Sequence, residues 1–318
     1  PGFPLKACGN DGLRKGNKFY AASCGELDPV EIKELMRDYQ ESKITRREFM
    51  RRAVALTGSM AAANTLIDTL IRSNSYAAEV DPGDPALVWH NVEYKGKAGP
   101  VFGYLARPAA PGKYPGIVII HANQGLNDYT RDVARRLAKQ GYAALAVDYL
   151  SRHGGTMKVN PKSEGLSNIR ELAPWQAVVE DAAAGYAYLK TLPDVRGDRL
   201  GLIGFCWGGE MTFASATEVR GLKAVVVFYG RSPSPLDRVK NIEAPVLAHY
   251  GEKDPGVNQD IPGTEEAMKK YKKSYSYKIY PGAQHGFHTD NAAERYHPQA
   301  AKEAWGRTLD FFKKNLQS

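Results

Sequence analysis

The sequence predicts an α/β fold: a mostly parallel sheet with helices on both faces. Three observations carry that prediction. Short, continuously apolar runs recur from residue 86 onward, such as GIVIIH at 116–121, with the character of strands buried on both sides. Stretches with helical spacing alternate with them. Glycine and proline punctuate the alternation, Gly141 stopping one helix and Pro174 standing in the first turn of another. Strands alternating with helices make parallel βαβ units, whose ligands sit beyond the carboxyl ends of the strands.

Residues 1–80 differ from the rest and are read as an N-terminal extension, with the main α/β domain over 81–318. LDPVEIKELMRDYQESKI (27–44) has apolar residues at 27, 30, 32, 35, 36 and 39, a helical rhythm. TRREFMRR (45–52) pairs Arg46 with Arg47 ahead of Phe49 and Met50, and an Ala-rich, weakly apolar stretch follows. Together with small residues at Tyr76-Ala77-Ala78, this resembles a twin-arginine export signal, which implies a periplasmic or exported protein. The alternative is a retained helical arm on a cytoplasmic protein. Asn64, Asp68 and Arg72 interrupt the apolar stretch and exclude a stable membrane span.

The α/β region then follows in order. ALVWHNVEYKG and PVFGYLARP read as an antiparallel strand pair, and GIVIIH is the first buried strand. YTRDVARRLAKQG is a helix ending at Gly141, YAALAVDYL a strand, and PWQAVVEDAAAGYAYLKTL a helix. RLGLIGF is a strand that leads into the helix GGEMTFASAT. LKAVVVFYG, APVLAHYGEKD and YSYKIYPGAQHG are three further strands separated by short helices, and PQAAKEAWGRTLDFFKKNL is a closing helix.

Gly204-Phe205-Cys206-Trp207-Gly208 lies between a strand and a helix. That is the setting of a nucleophile elbow, G-x-S-x-G with cysteine in place of serine. The turn is sharp, so the flanking positions must lack side chains, and the helix N-terminus beside the thiol favours a thiolate. In α/β-hydrolases the chain order is nucleophile, acid, base, each after a successive strand. Asp254 ends the strand VLAHYGEKD, and His285 ends YKIYPGAQHG between Gly282 and Gly286. Cys206, Asp254 and His285 are therefore the expected triad: the carboxylate orients the imidazole, and the imidazole exchanges protons with the thiol and the leaving group. His249, inside a strand, and His288 and His297, in the loop after it, read as structural. Glu210 reads as a helix first-turn residue.

Over residues 86–318 the chain resembles the dienelactone hydrolase family of α/β-hydrolases. IVIIHANQGLNDYTRDVARRLAKQGYAALAVDYL, GFCWGG, GEKD and QHGF carry the resemblance. It implies hydrolysis of a carboxylic ester or lactone, of the carboxymethylenebutenolidase type, through a thioester. It also implies an oxyanion hole from the backbone N–H groups of Asn123 and Trp207, and a substrate pocket near His121, Ala122 and Arg170. Where the family has an acidic residue after the histidine of the first-strand loop, this chain has Ala122. The family's acid contacts the resting thiol and takes part in substrate-triggered activation. Where an arginine is expected four residues after the base, the chain has Thr289.

The totals fit this reading. The chain has 318 residues, 43% apolar and 25% charged, enough for one large domain and an appendage. Its net charge of +8 is scattered, and no nucleic-acid-binding motif accompanies it. Three cysteines make no disulfide framework, although Cys8 and Cys24 could pair. Neither metal-ligand spacing nor a dinucleotide or phosphate loop is present, so no metal or cofactor is expected. The expected partner is a small ester or lactone, and the expected state a monomer or small homo-oligomer. A general carboxylesterase, or a non-catalytic or redox-active thiol protein on the same fold, are the alternatives.

Overall fold

A computed structural model describes residues 31, 34, 35, 38, 46–57 and 79–317. The chain divides into two compact units, residues 1–74 and 75–318. In the first, Glu31, Glu34, Leu35 and Asp38 are helical, and helix α1 spans Arg46–Thr57. Phe49 and Ala53, four residues apart on α1, are buried. Cys8, Cys24, Asn64, Asp68, Arg72 and the small residues at 76–78 lie outside the described residues. Among the described residues, no helix is long and apolar enough to cross a membrane.

The second unit is an eight-stranded sheet: β1 Leu87–Gly96, β2 Gly99–Pro108, β3 Tyr114–Ile120, β4 Ala143–Asp148, β5 Val195–Phe205, β6 Ala224–Phe228, β7 Val246–Lys253 and β8 Tyr275–Gln284. The spatial order is β1-β2-β4-β3-β5-β6-β7-β8. β2 runs antiparallel to both β1 and β4, and every later pairing is parallel. The fold is that of the α/β-hydrolases, as expected. The period-2 geometry of a strand sends alternate side chains to opposite cores. In β6, Val225 and Val227 enter one core, while Ala224, Val226 and Phe228 enter the other.

Helices α2 (Asp128–Lys139) and α6 (Pro298–Phe312) cover one face. Helices α3 (Trp175–Thr191), α4 (Trp207–Ala216) and α5 (Ile261–Lys270) cover the other. Burying each Val, Leu or Ile of these faces is worth roughly 1.5–3 kcal/mol. Pro174 differs from expectation: with φ −61° and ψ 152° it is the extended N-cap of α3 rather than part of its first turn. Between β4 and α3 lie a 3-10 turn, Ser151–His153, and two single-turn helices, Thr156–Val159 and Ile169–Leu172.

α2 also anchors the start of this unit. Asp132, fully buried, accepts the Glu79 and Val80 N–H groups, each at 3.2 Å. Arg135 donates to the Val80 carbonyl at 3.0 Å. Arg136 joins Asp132 to Asp290, 2.6 Å from each.

Candidate active site

The site begins with a backbone that only a tight turn imposes. Cys206 has φ 59° and ψ −121°, a conformation that costs a non-glycine residue about 1–3 kcal/mol. Three hydrogen bonds hold it there: the Cys206 N–H donates to Phe228 O at 3.0 Å, and the Cys206 carbonyl accepts from Gly209 and Glu210 at 2.9 and 3.2 Å. A side chain at Gly204 would strike the Gly208 carbonyl, and one at Gly208 would strike the carbonyls of Ile120 and His121. The elbow is thus pressed against the end of β3.

The three expected triad residues converge. His285 Nε2 lies 3.0 Å from Cys206 Sγ, and His285 Nδ1 lies 2.6 Å from Asp254 Oδ2. Asp254 follows β7 and is buried, while its own carbonyl accepts from Val257 and Asn258 and caps the short helix Pro255–Asn258. His285 follows directly on β8; Gly282, inside that strand, and Gly286, just after the histidine, have φ angles of 71° and 80° that suit glycine. Burial opposes a charge on His285, but the hydrogen bonds with Asp254 and Cys206 and their charges outweigh it and raise its pKa to about 10. The acceptor on Nδ1 fixes Nε2 as the nitrogen facing the sulfur, so a proton can pass along this file.

Sγ opens onto a cavity of about 350 Å³. Leu166, Ile169, Trp207 and Val257 give it apolar walls, and Arg170, Glu210 and Arg231 place charges in them. Asn123 and Trp207 both line it, and their backbone N–H groups make no hydrogen bond among the described residues. The loop carrying Asn123 is held by Leu166, whose N–H donates to Asn123 O at 3.2 Å.

The other expected pocket residues are placed unequally. Arg170 lines the cavity, 2.6 Å from Glu210. His121 is fully buried and lies outside the lining. Its Nε2 accepts the Tyr149 N–H at 3.1 Å, which leaves Nδ1 to donate to Ala122 O at 2.7 Å. Burial pushes its pKa down, so it is a neutral strut for the loop. Ala122 is partly exposed and is likewise not in the lining. Thr289 meets Tyr229 OH at 3.3 Å. His249 is held between Tyr280 and Thr308, with burial lowering its pKa to about 3, and His288 bonds Tyr129 at 2.6 Å. His297 caps α6.

Tyr229, Arg231 and the pocket-facing role of Glu210 are not legible in the sequence reading. Tyr229 is left-handed (φ 39°), and its ring lies 5.1 Å from that of His285. Two signals would have found them. Residues 229–231 follow the carboxyl end of β6, where ligands sit in such sheets. Glu210 is one helical turn beyond Cys206, on the same face.

A sequence model of the dienelactone hydrolase family matches residues 101–316. A Bradyrhizobium protein assigned as a 2-oxo-3-(5-oxofuran-2-ylidene)propanoate lactonase is 34% identical over 73% of this chain and 95% of its own length. A Synechocystis protein assigned as a carboxymethylenebutenolidase is 33% identical over 68% of this chain and 93% of its own. Among solved structures, a Klebsiella pneumoniae protein described as a dienelactone hydrolase aligns with a TM-score of 0.65 and 27% identity, over 72% of this chain and 99% of that one. A dienelactone-hydrolase-like promiscuous phosphotriesterase from metagenomic libraries aligns with the same score, 26% identity and the same coverage.

Proposed function

The chain belongs to the dienelactone hydrolase family, and from that premise we propose that it cleaves carboxylic esters or lactones through an acyl-thioester on Cys206. Membership makes it a hydrolase of ester or lactone bonds. The finer reading is supported above all by the unbroken file Sγ–Nε2 at 3.0 Å and Nδ1–Oδ2 at 2.6 Å, whose Cys206 and His285 line a cavity.

The chemistry follows from that file. Cys206 Sγ, its proton held by His285, adds to the substrate carbonyl carbon, and the oxygen takes up the negative charge. The Asn123 and Trp207 N–H groups donate to that oxyanion, an interaction typically worth about 2.7–4 kcal/mol per donor in such sites. The intermediate collapses, the C–O bond breaks, and the imidazolium protonates the departing alkoxide. In a lactone that alkoxide stays attached to the acyl group, and the ring opens. Water then attacks the thioester with His285 as base, releasing the acid and restoring the thiol. Asp254 stabilises the imidazolium throughout.

The test is turnover of p-nitrophenyl acetate and butyrate, simple lactones and a dienelactone, with mass spectrometry of the acylated enzyme. A single acyl group on Cys206 and loss of turnover in a folded Cys206→Ala variant are expected. Undiminished turnover in Cys206→Ala would overturn the reading. A folded wild type that acylates nowhere would leave the redox-active thiol protein as the better account.

A further inference from the structure

We propose that this cavity is built for uncharged acyl groups, and that Glu210 sets this preference by occupying the cation that would otherwise hold a substrate carboxylate. The proposal rests on the esterase reading of the same site and adds the class of substrate it takes.

Three cationic side chains line the cavity, and each is already matched by a carboxylate of this chain. Arg170 faces Glu210 at 2.6 Å, Arg231 faces Asp260 at 3.4 Å, and His285 faces Asp254 at 2.6 Å. Arg170 is well exposed, whereas the Glu210 side chain is only 22% exposed and itself lines the cavity. A substrate carboxylate approaching Arg170 would therefore meet the Glu210 carboxylate at the same guanidinium. Like charges brought together in a partly desolvated pocket repel, and the penalty acts on binding. An uncharged acyl chain meets no such opposition, and Leu166, Ile169, Trp207 and Val257 offer it an apolar wall.

Glu210 is fixed to do this. It sits in the first turn of α4 with its own N–H bonded to the Cys206 carbonyl at 3.2 Å. Its carboxylate is therefore tied, through one turn of helix, to the position of the thiol. A negative side chain suits this helix end, so the arrangement is stable as well as exclusive. Removing the charge while keeping the shape should leave Arg170 free to accept an anion. Specificity here is negative as much as positive, a repulsive group placed against one class of substrate.

The experiment reads charge selectivity at Cys206 in two ways, one of which needs no turnover. First, the rates at which iodoacetate and iodoacetamide alkylate Cys206 are compared by mass spectrometry of its peptide, giving an anion-to-neutral ratio. Second, kcat/KM is compared for mono-p-nitrophenyl succinate and p-nitrophenyl butyrate, which differ chiefly in a terminal carboxylate. The variants are Glu210→Gln, Arg170→Gln and the double substitution, each checked for folding by circular dichroism. In Glu210→Gln both ratios should rise about tenfold, equivalent to about 1.4 kcal/mol. In the double variant the gain should vanish, and added salt should shrink it. An unmoved ratio in Glu210→Gln, a gain that survives loss of Arg170, or a wild type that prefers the succinate would each overturn the proposal. If the alkylation ratio responds as described but neither ester is hydrolysed, the charge assignment stands and the catalytic reading falls.

Discussion

His285 is where the chemistry of the site is most exposed to measurement. Its folded pKa, raised to about 10, exceeds its ordinary value of 6.5. A group raised in this way stabilises the fold fully below its unfolded pKa and loses that contribution as pH climbs through the folded one. The difference in melting temperature between wild type and His285→Gln should therefore be largest below about pH 6.5 and shrink toward pH 10. Turnover makes a sharper demand. His285→Ala should lower kcat/KM by about 10³-fold or more, and Asp254→Asn by a smaller factor, since only an oriented imidazole serves both proton transfers. Steady-state kinetics with p-nitrophenyl acetate on folded variants checks both, and near-wild-type turnover in His285→Ala would remove it from the mechanism. Position 122 offers a third measurement. A carboxylate on the loop that precedes Asn123 would oppose negative charge building up on Sγ, so Ala122→Glu should slow iodoacetamide alkylation of Cys206 at neutral pH. Equal rates in the two proteins would show that the residue at 122 does not govern the thiol.

Among the elements, the elbow and α2 tolerate little change. Gly204→Ala and Gly208→Ala each drive a methyl group into backbone carbonyls that cannot yield, so each should cost about 1–3 kcal/mol or more by urea unfolding. Asp132→Ala strips a buried partner from Arg135 and Arg136, and a loss of about 3–5 kcal/mol is expected. Most of these elements were legible in the sequence, because a buried parallel strand has a plain signature: β3, β4 and β6 are built around continuous apolar runs, and α2 stops just before the glycine expected to end it. The segment 151–172 was not, because helices of one turn carry no periodicity to detect. Pro174 was misplaced by one position because cap and first turn differ only in ψ. That Cys206, His285 and Asp254 come together was legible for a different reason, that strand order in the chain fixes which loops meet at the carboxyl ends of the strands. Arg231 and Tyr229 were missed although they follow the carboxyl end of β6, because which side chains there turn into the cavity beside Cys206 depends on β6 lying next to β5, a fact of spatial order.

At the scale of the whole molecule, the two units pose separate questions. The first contains Arg46 and Arg47 at the start of α1. If this segment directs export, as its resemblance to a twin-arginine signal implies, residues 25–85 fused to a reporter should carry it across the inner membrane, and changing both arginines to lysine should block it. A reporter retained in the cytoplasm would instead favour the helical arm. The second unit has a property that follows from its strand order. Cys206, Asp254 and His285 stand after β5, β7 and β8, at a sequence separation of 79 for the sulfur and its imidazole and 31 for the imidazole and its carboxylate. Since β6 and β7 separate β5 from β8, the thiol meets its base only when the far edge of the sheet has zipped on. Pairings this distant along the chain form late and slowly. A nascent or refolding chain thus carries Cys206 without its imidazole neighbour, and on the proposed mechanism the protein stays chemically silent until it is whole.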